Sequence, residues 1–176
     1  MSANLEKNTA ERRACSAAPD GGQTQALRRT VRIGGVRLVA DLASEPRAFA
    51  RKVARMNGGV RGRQIAVLSG AGERRSELLA ALGQRCAGDF DALVVYESTV
   101  AGGAEQLGRS ARAILEGASR CQGGHPQRHC KLDVRHALRF ALSLCHPGDI
   151  VVFACASLDT LIDAMLTVTG PPPASA

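Results

Sequence analysis

The sequence predicts an α/β fold, an open, mainly parallel, Rossmann-like sheet with helices on both faces. Three observations lead there. Gln64–Ser69 (QIAVLS), Asp91–Tyr96 (DALVVY) and Asp149–Ala156 (DIVVFACA) are short apolar runs rich in β-branched residues. Such continuous runs suit strands buried on both faces of a parallel sheet. Between them lie amphipathic patterns of helical period, and strands alternating with helices build parallel sheets through right-handed crossovers. Glycine turns separate the two periodicities, most clearly at Gly70 and Gly72.

Taken in order, residues 1–30 are polar and poor in large hydrophobes, and read as a disordered leader. Val31–Ile33 and Val36–Asp41 flank Gly34-Gly35, the signature of a two-residue hairpin. Ser44 and Pro46 open a helix carrying Phe49, Val53 and Met56 on one face, and Asn57-Gly58-Gly59 ends it. After the strand Gln64–Ser69, a helix starts near Glu73 with Leu78, Leu79, Leu82 and Cys86 on its apolar face. Asp91–Tyr96 follows as a strand, and Ser98–Ala104 as a glycine-containing loop. Glu105–Glu116 is expected to be a helix and Ser119–Lys131 an irregular segment. Asp133 caps a helix containing Val134, Leu138, Ala141, Leu142 and Cys145, closed by His146-Pro147-Gly148. A buried strand, Asp149–Ala156, leads to a final helix capped by Ser157 and carrying Leu158, Leu161, Ile162, Met165 and Leu166. The ordered part is one domain, 31–168, with a flexible tail at 169–176. A chain of 176 residues is long enough to bury a core without disulfides.

Composition narrows the function classes. The formal charge is +7, with 23 basic residues of which only Lys7, Lys52 and Lys131 are lysines. An anionic partner is one reading. The arginines are dispersed, however, and with one Tyr and no Trp there is no stacking platform, which argues against nucleic acid. The N-terminus has no apolar signal segment and no run approaches a membrane span. Cys86, Cys145 and Cys155 sit in apolar patterns, as free buried thiols do. A reduced, cytoplasmic protein is expected, with no membrane partner.

In an open parallel sheet ligands bind beyond the carboxyl ends of the strands. That rim gathers Asp41, Ser69–Arg75, Glu97 and Cys155–Asp159. The turn SGAGERR supplies two glycines of a dinucleotide fingerprint, but Arg75 stands where the third should be, and Glu97 sits where a ribose-binding acid would. Without a dinucleotide, Gly72, Glu73, Arg74 and Arg75 form an anion-binding helix start, where N–H groups and the helix dipole meet an arginine fork suited to carboxylate or phosphate. The alternative is that both arginines are solvated and one pairs with Glu77. Cys121, His125, His129 and Cys130 are metal-ligand types, yet His129 and Cys130 are adjacent, unlike the spaced pairs of structural zinc. They read as a polar surface loop, so no metal is expected. His136 reads as solvated. No catalytic triad and no G-x-x-x-x-G-K-[ST] phosphate loop can be placed.

Four segments, VRIGGVRLVADLASEPRAF, GRQIAVLSGAGERRSELLAALGQRCAGDFDALVVYE, LDVRHALRFAL and HPGDIVVFACASLDTLIDAML, together resemble the C-terminal, glutamate-ligase domain of the Mur ligase superfamily, most closely that of cyanophycin synthetases. VRIGGVRLVADLASEPRAF is similar to the family's opening strand and helix, V-x-D-Y-A-H-N-P. GRQIAVLSGAGERRSELLAALGQRCAGDFDALVVYE resembles the block G-R-x-I-G-V-x-G-x-x-G-D-R-R-D-E and its following strand. LDVRHALRFAL resembles the helix before the last strand, and HPGDIVVFACASLDTLIDAML the closing P-G-D-[LIV]-V-V strand and helix. The likeness spans about Val31–Leu166. It implies a domain that closes over a central ATP-binding domain and helps join an amino acid to an acyl phosphate. It also implies that Asp41 lies near the nucleotide and that Arg74 and Arg75 hold a substrate carboxylate or phosphate.

The central ATP-binding domain has no counterpart in this sequence, so the resemblance implies ATP and Mg only through a separate ATP-binding ligase subunit. A homo-oligomer is the other expected assembly, and an acidic small molecule or peptide the expected ligand. D-Y-A-H-N-P reads here as Asp41-Leu42-Ala43-Ser44-Glu45-Pro46, losing His and Asn, and D-R-R-D-E reads as Glu73-Arg74-Arg75-Ser76-Glu77. A non-catalytic binding or regulatory module with an anion pocket is therefore the second reading. A dinucleotide oxidoreductase is the third.

Overall fold

Local sequence sets the apolar strands of this sheet, whose β-branched runs are bounded by glycine or aspartate. In a computed structural model, residues 28–42, 62–70, 75–97, 108–122, 126–155 and 157–169 are described, with backbone alone at Arg28, Arg29 and Asp41. The strands are β1 (Arg28–Ile33), β2 (Val36–Leu42), β3 (Gln64–Leu68), β4 (Ala92–Tyr96), β5 (Gln127–Lys131) and β6 (Ile150–Cys155). The helices are α1 (Ser76–Asp89), α2 (Arg109–Ser119), α3 (Val134–Ser143) and α4 (Leu158–Thr169). They form one sheet of order β1-β2-β6-β3-β4-β5. β1 and β2 pair antiparallel through Gly34-Gly35, whose φ values of 55° and 82° are those a tight hairpin turn demands. Every other pairing is parallel, so the α/β class with a mainly parallel sheet stands.

Side chains alternate across the sheet and build two cores. Val39, Ala66, Leu68, Leu93, Val95 and Val152 pack with α1 and α2. Leu38, Ala40, Ile65, Val67, Val94, Val151 and Phe153 pack with α3 and α4. Burying a side chain such as Phe153, Leu38 or Ile65 contributes about 1.5–3 kcal/mol each. On the first face α1 and α2 approach unusually closely: a Cβ at Gly83 would overlap the Ile114 carbonyl, and one at Gly117 would overlap the Ala80 carbonyl.

Several boundaries differ from the sequence reading. β1 begins at Arg28, pairing with Asp41, inside the stretch read as a leader; residues 1–27 lie outside the described residues. α2 starts at Arg109, because Gly108 has φ 85° and cannot continue a helix, and it runs on to Ser119. The segment read as irregular contains β5, which pairs with all five residues of β4. On α4 the apolar stripe is split: Leu161 is buried, whereas Leu158, Ile162 and Leu166 are exposed. The expected helix after Ser44 and the tail after Thr169 lie outside the described residues. Among the described residues no helix is long and apolar enough to cross a membrane.

Candidate functional site

β3 and β6 are sheet neighbours, and the helices that follow them lie on opposite faces, α1 on one and α4 on the other. The crevice beyond their carboxyl ends is therefore the topological switch point. Ser69 and Gly70 leave β3 there, both buried. Tyr96, the last residue of β4, reaches across: its hydroxyl donates to the Ala154 carbonyl at 3.5 Å and shares a hydrogen bond with Ser69. Burial, the largest influence, pushes the Tyr96 hydroxyl well above the usual tyrosine range, so it stays a neutral donor and acceptor. Cys155 ends β6 fully buried, and the Ser157 hydroxyl caps α4 by accepting the Thr160 N–H at 3.1 Å, as the sequence predicts.

The anion-site residues fall at this crevice only in part. Arg75 is the N-cap of α1 in an extended conformation (φ −80°, ψ 111°), with an exposed side chain that caps nothing on the helix. Its carbonyl accepts the Leu78 and Leu79 N–H groups, which seats the residue at the positive end of α1. Gly72, Glu73 and Arg74 lie outside the described residues. Gly70 backs onto the first turn of α2, where a Cβ would meet Ser110 Cβ at 3.0 Å and its Oγ at 3.2 Å. The backbone of Asp41 pairs with Ala154 of β6, one position before the end of β2. The backbone of Asp41 and the carboxyl end of β3 thus share one rim, with β6 between their strands.

Glu97 has another task. Its Oε1 accepts the Ala111 N–H at 2.8 Å and so caps α2. Gly108, the N-cap residue, has no side chain to do it, so the carboxylate comes from the end of β4. The position that a dinucleotide fold reserves for a ribose-binding acid is spent on helix capping, which counts against that reading.

The Cys/His segment also resolves. Successive strand residues point to opposite faces. His129 stacks edge-on against Phe140 of α3 (centroids 4.6 Å apart) and Lys131 lies over the same ring at 3.6 Å. Cys130 points to the other face, beside α2. His129 and Cys130 therefore cannot share a metal, and His125 lies outside the described residues. No three His, Cys, Asp or Glu residues come together as a metal site among the described residues. His136, read as solvated, is exposed but also bonds Asp133 (Nδ1 to Oδ2, 2.7 Å), while Asp133 accepts the His136 N–H at 2.9 Å as the predicted cap. The five described cysteines are free thiols.

The chain matches the family described as Mur ligase, glutamate ligase domain, over residues 27–157. It belongs to that family. The Mur ligase domain is similar in fold to UDP-N-acetylmuramoyl-L-alanyl-D-glutamate–2,6-diaminopimelate ligase, with 16% identity and TM-score 0.61, covering 80% of this chain and 31% of that one. A murein peptide ligase from Psychrobacter arcticus matches at 12% identity and TM-score 0.58, covering 80% and 29%. MurF ligase from Thermotoga maritima, in complex with ADP, matches at 19% and TM-score 0.52, covering 77% and 29%. At such identities the likeness is one of fold, and this chain spans about a third of the length of these structures. No curated protein sequence matches it.

Proposed function

We propose that this Mur ligase domain contributes to ATP-dependent amide ligation, of an amino acid or peptide, with ATP and Mg held by a separate ATP-binding partner chain. The observation that carries the reading is the family match over residues 27–157, supported by the end of β3 and the start of α1 lying at the sheet's switch point. Within that reading Arg74 and Arg75, with Gly72 and Glu73, hold the carboxylate or phosphate of an acidic substrate, and Asp41 is the nucleotide-proximal residue. A helix start with two guanidiniums favours an anion by both dipole and bidentate hydrogen bonding. The segment likeness to cyanophycin synthetases supports an acidic small molecule or peptide as the substrate, and a cytoplasmic location belongs to the same reading.

A second reading is a non-catalytic binding or regulatory module that keeps the anion pocket. The loss of His and Asn from Asp41-Leu42-Ala43-Ser44-Glu45-Pro46 favours it.

The test is recovery of tagged protein from its source cells, identification of the bound chains, and an ATP-dependent ligation assay on the reconstituted pair. Ligation that needs both chains and is lost in Arg74→Ala is the expected result. A bound acidic metabolite without turnover moves the assignment to the second reading. A shift in melting temperature with NAD(P) would restore the dinucleotide reading, since ligand at 100 times its Kd adds about 2.7 kcal/mol.

A further inference from the structure

We propose that the outer edge of β5, with the groove between β5 and α2, takes an extended acidic peptide as an added seventh strand. The inference rests on this surface alone and not on the ligase reading. β5 is the last strand of the sheet, paired with β4 on one side only. Gln127 donates its N–H to Asp91 at 3.0 Å, so the main-chain groups of Gln127, His129 and Lys131 face β4. In a strand the intervening residues face the opposite way, which turns the N–H and C=O groups of Arg128 and Cys130 outward. Among the described residues these groups have no partner. Strand addition uses such an unpaired row.

The side chains of the same two residues line a groove of about 450 Å³, whose far wall is Ala111, Arg112, Leu115 and Glu116 of α2. Its walls are mainly apolar, and its borders are cationic. Exposed Arg109 and Arg112 of α2, Arg120 just after it and Arg128 of β5 outnumber the two nearby acids, Glu116 of α2 and Glu97, whose charge acts on Cys130. None of these four guanidiniums is in an ion pair among the described residues. The charge calls for acidic side chains and the strand edge calls for a peptide backbone. A second copy of this chain is disfavoured, because pairing two β5 edges brings two cationic groove borders together. Nucleic acid would find charge here but, among the described residues, no exposed aromatic ring on which to stack a base.

The experiment uses the full chain and a fluorescein-labelled peptide of six alternating glutamate and valine residues, followed by fluorescence anisotropy at low and moderate salt. Saturable binding is expected, weakened about tenfold by Arg128→Glu, the scale of losing one charge-assisted contact. It is also expected to be abolished when the peptide's edge-facing amides are N-methylated. Cys130→Pro, which removes an outward N–H, should abolish binding too. Should that variant not fold, the N-methylated peptide carries the same test. Absence of saturable binding, or equal binding by Arg128→Glu, overturns the proposal. So does equal binding of the N-methylated peptide, or of a single-stranded thymidine oligonucleotide with the same dependence on Arg128, either of which marks a general polyanion surface.

Discussion

The Glu97 carboxylate accepts the Ala111 N–H at 2.8 Å, across a gap of fourteen residues, and in doing so ties the end of β4 to the start of α2. A helix whose N-cap is Gly108 has no side chain of its own to satisfy its first donors. Glu97→Ala is expected to cost about 1 kcal/mol, the usual value of an N-cap, read as a lower urea midpoint with an unchanged slope. Glu97→Gln, which keeps an acceptor oxygen, should lose less. Equal stability of Glu97→Ala and wild type would show that the cap is idle.

The crossing of α1 and α2 rests on two glycines. Gly83→Ala and Gly117→Ala each push a methyl into a backbone carbonyl, of Ile114 and Ala80 respectively. Each should destabilise by about 1–3 kcal/mol, the range for overpacking. Gly88→Ala in the same helix α1 meets only Cys121 Sγ at 3.9 Å. That change is expected to be neutral, or to stabilise by about 0.5–1 kcal/mol through the lost backbone freedom of glycine. Urea melts of the three variants side by side separate a packing effect from a propensity effect.

Tyr96 and Ser69 are buried and hydrogen-bonded at the carboxyl ends of β4 and β3. Tyr96→Phe removes a buried hydroxyl together with its hydrogen bonds to the Ala154 carbonyl and to Ser69. A loss of about 1 kcal/mol is expected. If the crevice is the binding site, ligand affinity should fall in Tyr96→Phe by more than the stability loss explains, measured by calorimetric titration on folded protein.

Stability should also depend on pH through His129. Desolvation, and then the nearby Lys131 charge, lower its pKa below the ordinary 6.5. The unfolded chain therefore binds more protons than the folded one as the pH falls below that value. The stability is fully present above pH 6.5 and is lost as the pH falls towards the folded pKa. His129→Phe, which keeps the ring against Phe140, should flatten the melting temperature between pH 7 and 5 relative to wild type. Asp133 and Asp163 are held below the ordinary carboxylate value by hydrogen bonds, Asp133 from His136 and Asp163 from Arg135. Their contributions are present above pH 3.8 and disappear only in more acidic solution, so the two windows are distinct.

The alternation of apolar runs with amphipathic helices is a local property, and so the class of fold, the Gly34-Gly35 hairpin and the caps at Asp133 and Ser157 were legible in the sequence. So was the rim, because parallel strands put all their carboxyl ends on one side. β5 was not legible. Gln127-Arg128-His129-Cys130-Lys131 has no apolar pattern, and it is a strand because β4 offers it main-chain partners. Nor was the task of Glu97, since capping α2 requires Gly108 to turn the chain back towards β4. The split of the α4 stripe into buried Leu161 and exposed Leu158, Ile162 and Leu166 depends on how the helix is rotated against the sheet, which periodicity cannot report. What the sequence determined was each segment's own conformation, because propensity and periodicity act over a few residues. What the tertiary structure decided was which groups meet, because strand order and helix placement join residues far apart in the chain.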